Sequence, residues 1–101
     1  MNTDKLIELG SEWQKGENHR VYFNDLPQWY GLKAVRYNSG NIQSATFDGE
    51  AISNSQAKEI DWKFVGCKVW YDFSDGQFHS QGNIKPGAFN KIVRNIQEAA
   101  Q

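Results

Sequence analysis

The stretch from residue 67 to residue 81 constrains the fold more than any other, because two apolar runs flank an Asp-Gly pair. Asp75 and Gly76 can supply the two residues of positive φ that a type I′ hairpin turn requires. With this two-residue turn, Asp72 lies opposite His79 on the neighbouring strand. The stretch therefore predicts a β-hairpin with a defined register.

Strand side chains alternate between the two faces of a sheet, so this hairpin has an apolar side and a polar side. The residues assigned to the core face are Cys67, Val69, Tyr71, Phe73 and Phe78. Those assigned to the outer face are Lys68, Trp70, Asp72, His79 and Gln81. A tryptophan among charged side chains on an outer face is typical of a partner-binding surface. We therefore expect an exposed Trp70 to mark the functional site.

The length and charge of the chain limit its class. Its 101 residues are enough for one domain, so we expect residues 1–101 to form a single unit. The sequence is 39% hydrophobic and 14% aromatic, which is a globular composition. Its net charge of −1 provides neither the basic excess that favours nucleic-acid binding nor the acidic excess of a DNA mimic.

The single cysteine, Cys67, excludes an intrachain disulfide and a cysteine-based zinc cluster. Small secreted domains commonly need such cross-links, so a reducing cytosol is favoured. The first residues do not resemble a signal peptide, and no apolar run is long enough to span a membrane. We expect a cytoplasmic protein with no membrane partner.

Helix signals occur in four places along the chain. Thr3 resembles an N-cap, and Ser53 with Gln56 fits a capping box. The buried stripe of the third helix ends at Phe64 or Val65, and the last helix has apolar residues at helical spacing. The predicted helical stretches are residues 3–9, 25–30, 54–65 and 88–100, and residues 82–87 are predicted to form a loop that contains Pro86.

Residues 11–23 allow two readings. The first helix continues through Trp13, or the segment forms a hairpin with its turn at residues 16–18. The strand propensity of the Val-Tyr-Phe run favours the hairpin. This reading places Val21 and Phe23 in the core.

Residues 33–53 carry two turn signals and predict a three-stranded meander. A three-residue turn with a bulge at Gly40 gives one consistent core face. That face holds Val35, Tyr37, Ala45 and Phe47, with Ile52 opposite Ala45. The residues predicted to point outward are Arg36, Ile42 and Thr46.

Together these elements predict an α+β domain. We expect an antiparallel β-sheet of about five to seven short strands, built from hairpins and a meander. We expect the N-terminal, central and C-terminal helices to pack on one face of this sheet.

Asp72, Asp75 and His79 are the candidate metal ligands, since carboxylate and imidazole groups bind several divalent metals. The turn explains Asp75, however, and a cross-strand ion pair explains Asp72 and His79. Cys67 falls on the core face, where a thiol behaves as a small hydrophobe. We therefore predict no metal site, no cofactor and no enzymatic activity.

Three functions are compatible with the outer face of the hairpin. The favoured one is a small non-enzymatic protein that binds a protein partner, or a second copy of itself, through the exposed aromatic and polar side chains. The alternatives are a regulatory protein that binds single-stranded or structured nucleic acid, and a metal-dependent hydrolase. The predicted partner-binding residues are Trp70, Lys68, Asp72, His79 and Arg36.

The sequence carries no family motif. In its size, single-domain make-up and lack of an active-site pattern, it resembles the small accessory proteins that phages and plasmids encode, among them inhibitors of host defence systems such as anti-CRISPRs. This likeness of kind covers no specific residues and implies no site. It implies that the protein acts as an inhibitor by binding another protein.

Overall fold

A computed structural model of the protein describes residues 2–14 and 19–101. In this part of the chain, four helices and seven strands confirm the α+β class. The helices are α1 (Thr3–Leu9), α2 (Leu26–Tyr30), α3 (Asn54–Lys63) and α4 (Pro86–Ala99). The strands are β1 (Glu12–Gln14), β2 (Arg20–Phe23), β3 (Leu32–Arg36), β4 (Ile42–Phe47), β5 (Glu50–Ile52), β6 (Lys68–Asp72) and β7 (Gln77–Gln81). None of the described helices combines the length and apolar composition needed to cross a bilayer.

The strands form two antiparallel sheets, whereas the sequence predicted one. The four-stranded sheet has the order β1-β2-β6-β7, and the three-stranded sheet has the order β3-β4-β5. The hairpins and the meander match the prediction, because strands joined by short turns pair locally. The strands divide into two sheets because β2 pairs with β6, which is distant in sequence. In this pairing, Val21 lies opposite Tyr71.

The β6–β7 hairpin has a wider turn than the sequence predicted. Residues 73–76 connect the two strands, and Trp70 lies opposite His79. The predicted pairing of Asp72 with His79 is therefore wrong, since Asp72 lies opposite Gln77. Because the register moves by two residues, each strand residue keeps its predicted face.

Side-chain caps explain this wider turn. The backbone N–H of Ser74 donates to a carboxylate oxygen of Asp72 at 2.9 Å, and that of Gln77 donates to Asp75 at 2.9 Å. Gly76 has a φ of 72° and donates its N–H to the backbone carbonyl of Asp72 at 2.8 Å. The carboxylates of two short side chains thus accept hydrogen bonds from backbone N–H groups of a four-residue turn. These bonds favour the four-residue turn over the predicted two-residue turn.

The predicted bulge at Gly40 is present, with a φ of 89°, but the predicted face of β3 is wrong because β4 carries a second bulge. Val35 pairs with Ser44 while Arg36 pairs with Ile42, so Gln43 is an extra residue in β4. The bulge turns Ile42 into the core, where it is 5% exposed, and leaves Val35 57% exposed. An extra residue in one strand moves every side chain on one side of the bulge to the opposite face of the sheet. No local sequence pattern predicts this change.

The rest of the meander follows from this register. Tyr37 is exposed rather than buried, and the inner face of β3 carries Leu32 and Ala34 instead. Ile52 lies opposite Ala45, which confirms the predicted pairing of β4 with β5. The turn at the end of the meander was therefore predicted correctly, and the irregular strand was not.

Residues 11–23 contain the hairpin rather than an extended helix. β1 pairs antiparallel with β2, with Trp13 opposite Val21, and α1 ends at Leu9. Val21 and Phe23 are buried, as predicted. The predicted turn at residues 16–18 lies outside the described residues.

Side chains cap the starts of α1 and α3, whereas α4 begins at Pro86, so the prediction of a loop through residue 87 is wrong. Ser53 and Gln56 form the predicted capping box at the start of α3. The side chain of Asn2, rather than that of Thr3, caps α1 by accepting the backbone N–H of Lys5. Phe64 completes the buried stripe of α3, and the alternative assignment of Val65 to this stripe is wrong.

The hydrophobic core has two parts. The larger cluster joins the inner face of the four-stranded sheet to α1 and α4, and its largest fully buried side chains are Leu6, Val21, Phe23, Val69, Ile92 and Ile96. The smaller cluster joins the three-stranded sheet to α3 through Leu32, Ile42, Ala45 and Ala57. The helices thus pack on different sheets: α1 and α4 on the four-stranded sheet, and α3 on the three-stranded sheet.

Lys91 links α4 to the three-stranded sheet. Its ammonium nitrogen is 2.7 Å from a carboxylate oxygen of Asp48 in the β4–β5 turn. The same nitrogen lies 4.6 Å from the ring centroid of Tyr30 and 4.1 Å from that of Phe47. The two rings partly desolvate the cation, which strengthens its attraction to the carboxylate and to the ring faces.

Lys91→Ala should lower the free energy of unfolding by about 1–2 kcal/mol, because the ring contacts and the charged hydrogen bond are lost together. Urea denaturation followed by circular dichroism measures this change. Lys33→Ala removes an exposed lysine of β3 and should change the same quantity by less than about 0.5 kcal/mol. Equal effects of the two substitutions would contradict a linking role for Lys91.

Candidate functional site

Three rings lie side by side across the outer face of the four-stranded sheet. The register of the sheet puts Tyr22 opposite Trp70 and Trp70 opposite His79. The ring centroid of Trp70 is 5.6 Å from that of Tyr22 and 5.8 Å from that of His79, with the histidine ring stacked. The guanidinium carbon of Arg20 lies 4.9 Å from the centre of the Trp70 ring.

This packing buries Trp70. Only 9% of the residue is exposed, so the predicted solvent-exposed tryptophan is not present on this face. Its indole Nε1 is also buried and has no hydrogen-bond partner among the described residues. Trp70 therefore provides apolar area to the sheet and presents little surface to a partner.

A charged network surrounds these rings. Arg20 Nε is 3.7 Å from Asp72 Oδ2, and Arg20 also donates to the hydroxyl of Tyr22 at 3.3 Å. Hydrogen bonds from the hydroxyl and the backbone N–H of Ser74, together with the charge of Arg20, hold the pKa of Asp72 below its usual value. The bond to Tyr22 and the nearby carboxylate raise the pKa of Arg20. The ion pair thus stays charged over a wide pH range.

His79 pairs with the turn. Its Nε2 is 2.6 Å from Asp75 Oδ2, which replaces the pairing predicted for it. One ligand atom each from Asp72, Asp75 and His79 lie within 4.8 Å of one another, so the structure brings the three candidate metal ligands together. Each group already has a partner within the protein, since Asp72 accepts the hydroxyl of Ser74 at 2.5 Å. These internal bonds account for the arrangement without a metal ion.

Lys68 and Arg36 lie apart from the three rings, in a cleft between the two sheets. This cleft of about 450 Å³ is lined by the chain that links β2 to α2, by Arg36, and by the end of α3 with the start of β6. Arg36 donates to both carboxylate oxygens of Asp61 at 3.2 and 3.0 Å. The five predicted site residues thus lie in two neighbouring places. Trp70, Asp72 and His79 lie on the outer face of the four-stranded sheet, and Lys68 and Arg36 line the cleft, which Tyr22 of the sheet also borders.

Among the side chains whose exposure the structure describes, the most exposed large apolar ones lie at the end of α3. Trp62 is 74% exposed and Val65 is 66% exposed, and we call residues 62–65 the ridge. Val65 lines the cleft between the sheets. On the other side of the ridge, Trp62 borders a second depression of about 280 Å³. A depression therefore lies on each side of the ridge.

The spacing of residues along α3 is a sequence signal for the exposure of Trp62. The buried stripe of α3 includes Ala57 and Ile60, and Trp62 is two positions beyond Ile60. Because a helix turns by about 100° per residue, that offset points a side chain away from the stripe. Val65 could not be found in this way, since it lies beyond the last helical residue, Lys63.

Comparisons with protein family models, curated proteins and solved structures find no match for this chain.

Proposed function

We propose that the protein acts by binding another protein, and that the partner docks on the ridge formed by residues 62–65. The exposure of Trp62 and Val65 carries this proposal. Tryptophan is among the residues that contribute most binding energy at protein interfaces. Single exposed apolar residues are ordinary, but two large ones on one ridge with a depression on each side favour docking.

The neighbouring cleft extends the proposed surface. Lys68 and Arg36, which the sequence assigned to partner binding, both line it. Arg36 is held by Asp61, so it offers a fixed guanidinium edge and not a mobile charge. Asp72 and His79 lie on the sheet face beyond Lys68, and their role in binding stays a prediction.

The charges of the sheet favour a protein partner over nucleic acid. Arg20 faces Asp72, Arg36 faces Asp61 and the net charge is −1. Phosphate binding depends on cations that release counterions, and a cation already paired with a carboxylate contributes less. The narrower prediction of a phage- or plasmid-encoded inhibitor depends on the identity of the partner.

The double variant Trp62→Ala with Val65→Ser should lose the partner in affinity capture from cells that naturally contain the protein. Loss of an interface anchor of this kind weakens binding by about 2 kcal/mol or more, which is roughly thirtyfold. Mass spectrometry of the captured proteins, with a fixed amount of bait, measures the change. The thermal unfolding midpoint should stay close to that of the wild type, because both side chains are exposed.

Val35→Ser is the matched control. Val35 is also an exposed valine, at 57%, but it lies on the outer face of the three-stranded sheet. The control should keep the partner. Capture of the same partners by the double variant and the wild type would disprove docking on the ridge, and self-association seen by light scattering would identify the partner as a second copy.

A further inference from the structure

We propose that the partner presents an acidic segment whose apolar side chain enters the depression beside Trp62. This inference depends on the proposed function and specifies the chemistry of its partner. It follows from three properties of the depression: an apolar floor, a rim of unpaired lysines and an uncapped helix start.

The floor of the depression is apolar. Phe64 and Ala88 are buried core residues that border it, and Ile84 beside them is half-buried. Trp62 forms one wall. A volume of about 280 Å³ is enough for one large apolar side chain but small for a complete ligand. The site therefore fits an anchor residue of a larger partner.

Four lysines around the ridge have no ionic partner among the described residues, whereas Arg20, Arg36 and Lys91 each face a carboxylate. Two of them border the depression, one precedes Trp62 by a helical turn, and one lines the cleft. These lysines are Lys63, Lys85, Lys58 and Lys68.

The unpaired carboxylates of this region are fewer. Asp25 lines the cleft and Glu59 lies on α3, and neither forms an ion pair with a described residue. Four lysines against two carboxylates leave an excess of two positive charges around the ridge, although the whole chain carries −1. A surface of this sign favours a negatively charged partner and repels a basic one.

The start of α4 adds to the same potential. Lys85 occupies the N-cap position of α4, and no side chain caps the first turn. A cation at the positive end of a helix dipole is unfavourable in the isolated protein, and a carboxylate there is favourable. Ala88, in the first turn of α4, lines the depression. An acidic residue of the partner would supply the missing negative charge.

An acidic polypeptide fits this surface better than a nucleic acid strand does. Strands bind by stacking successive bases on successive aromatic side chains, and the depression offers a single exposed tryptophan. The apolar floor needs an aliphatic or aromatic side chain, which a protein provides.

The test uses the ¹⁵N-labelled full chain and three synthetic peptides of equal length. The first is rich in glutamate with a central leucine, the second has lysine in place of each glutamate, and the third has serine in place of the leucine. We expect the first alone to shift the Trp62 indole signal, with a dissociation constant of about 0.1–1 mM. Raising sodium chloride from about 50 to about 300 mM should weaken it at least threefold.

Charge reversal tests the rim directly. Lys63→Glu with Lys85→Glu should weaken the first peptide by about tenfold or more. The matched control, Lys5→Glu with Lys33→Glu, changes the net charge equally at two exposed lysines that border neither depression, and it should stay within about twofold.

Several results would overturn the acidic partner. These are no shift with the glutamate peptide, equal binding of the lysine peptide, or equal loss in both charge-reversal variants. Tighter binding of oligothymidylate would assign the ridge to nucleic acid instead. The captured partner could be lost by the Trp62→Ala and Val65→Ser variant but kept by the Lys63→Glu and Lys85→Glu variant. This result would support docking of a protein on the ridge and contradict only the acidic character of that partner.

Discussion

Trp70→Ala should destabilise the protein by about 3–5 kcal/mol, which is a large fraction of the total stability of a domain of this size. Trp70 is 9% exposed and packs between the rings of Tyr22 and His79, with Arg20 over its face. Removing the indole leaves a void at the centre of the sheet that its neighbours cannot fill completely. Guanidinium denaturation followed by far-ultraviolet circular dichroism measures the loss.

Trp70→Phe separates packing from hydrogen bonding. Phenylalanine keeps most of the ring area, and Nε1 of Trp70 has no hydrogen-bond partner among the described residues. We therefore expect this substitution to cost less than about 1.5 kcal/mol. A Trp70→Ala variant with wild-type stability and no partner binding would contradict the structural role and restore Trp70 as the binding anchor.

Gly82→Ala should lower the free energy of unfolding by about 2–4 kcal/mol. Gly82 has a φ of +99°, a conformation that side chains disfavour. A methyl group at this position would lie 2.7 Å from the carbonyl oxygen of Gly66 and 3.0 Å from the Cα atom of Cys67. Both neighbours are backbone atoms in the two residues that precede β6, so they cannot move aside without disturbing the start of the strand.

Gly87→Ala is the matched control, and the expected sign is opposite. Nothing lies within 4 Å of a methyl group at Gly87, which is in the first turn of α4. Alanine there reduces the freedom of the unfolded chain and should stabilise the protein by about 0.4–1 kcal/mol. Thermal unfolding of the two variants measures the difference. A Gly82→Ala variant as stable as the wild type would show that the end of β7 can move away from Gly66.

Much of the fold could be predicted because its signals are local. The capping box of Ser53 with Gln56, the pairing of Ile52 with Ala45 and the apolar face of α4 all depend on residues close in sequence. Such signals depend on interactions within one short segment, so the rest of the folded chain does not change the conformation that they favour.

The candidate site was harder to predict, because it depends on what covers each side chain. Alternation correctly placed Trp70 on the outer face of the hairpin, but an outer face is exposed only if its neighbours leave it open. Tyr22 and Arg20 come from β2, a strand distant in sequence, and they cover the indole. Trp62, on the helix that precedes β6, is 74% exposed because its spacing turns it away from the buried stripe of α3.

Local sequence signals were sufficient to predict the α+β class, the four helices, the two hairpins and the meander. Tertiary structure decided how these units combine: β2 joins β6, the strands divide into two sheets, and the bulge at Gln43 reverses one end of β4. Hydrogen bonding between distant strands depends on which apolar faces can be buried together, and that is a property of the whole chain. The burial of Trp70 follows from that pairing, because Tyr22 and Arg20 of β2 cover the indole.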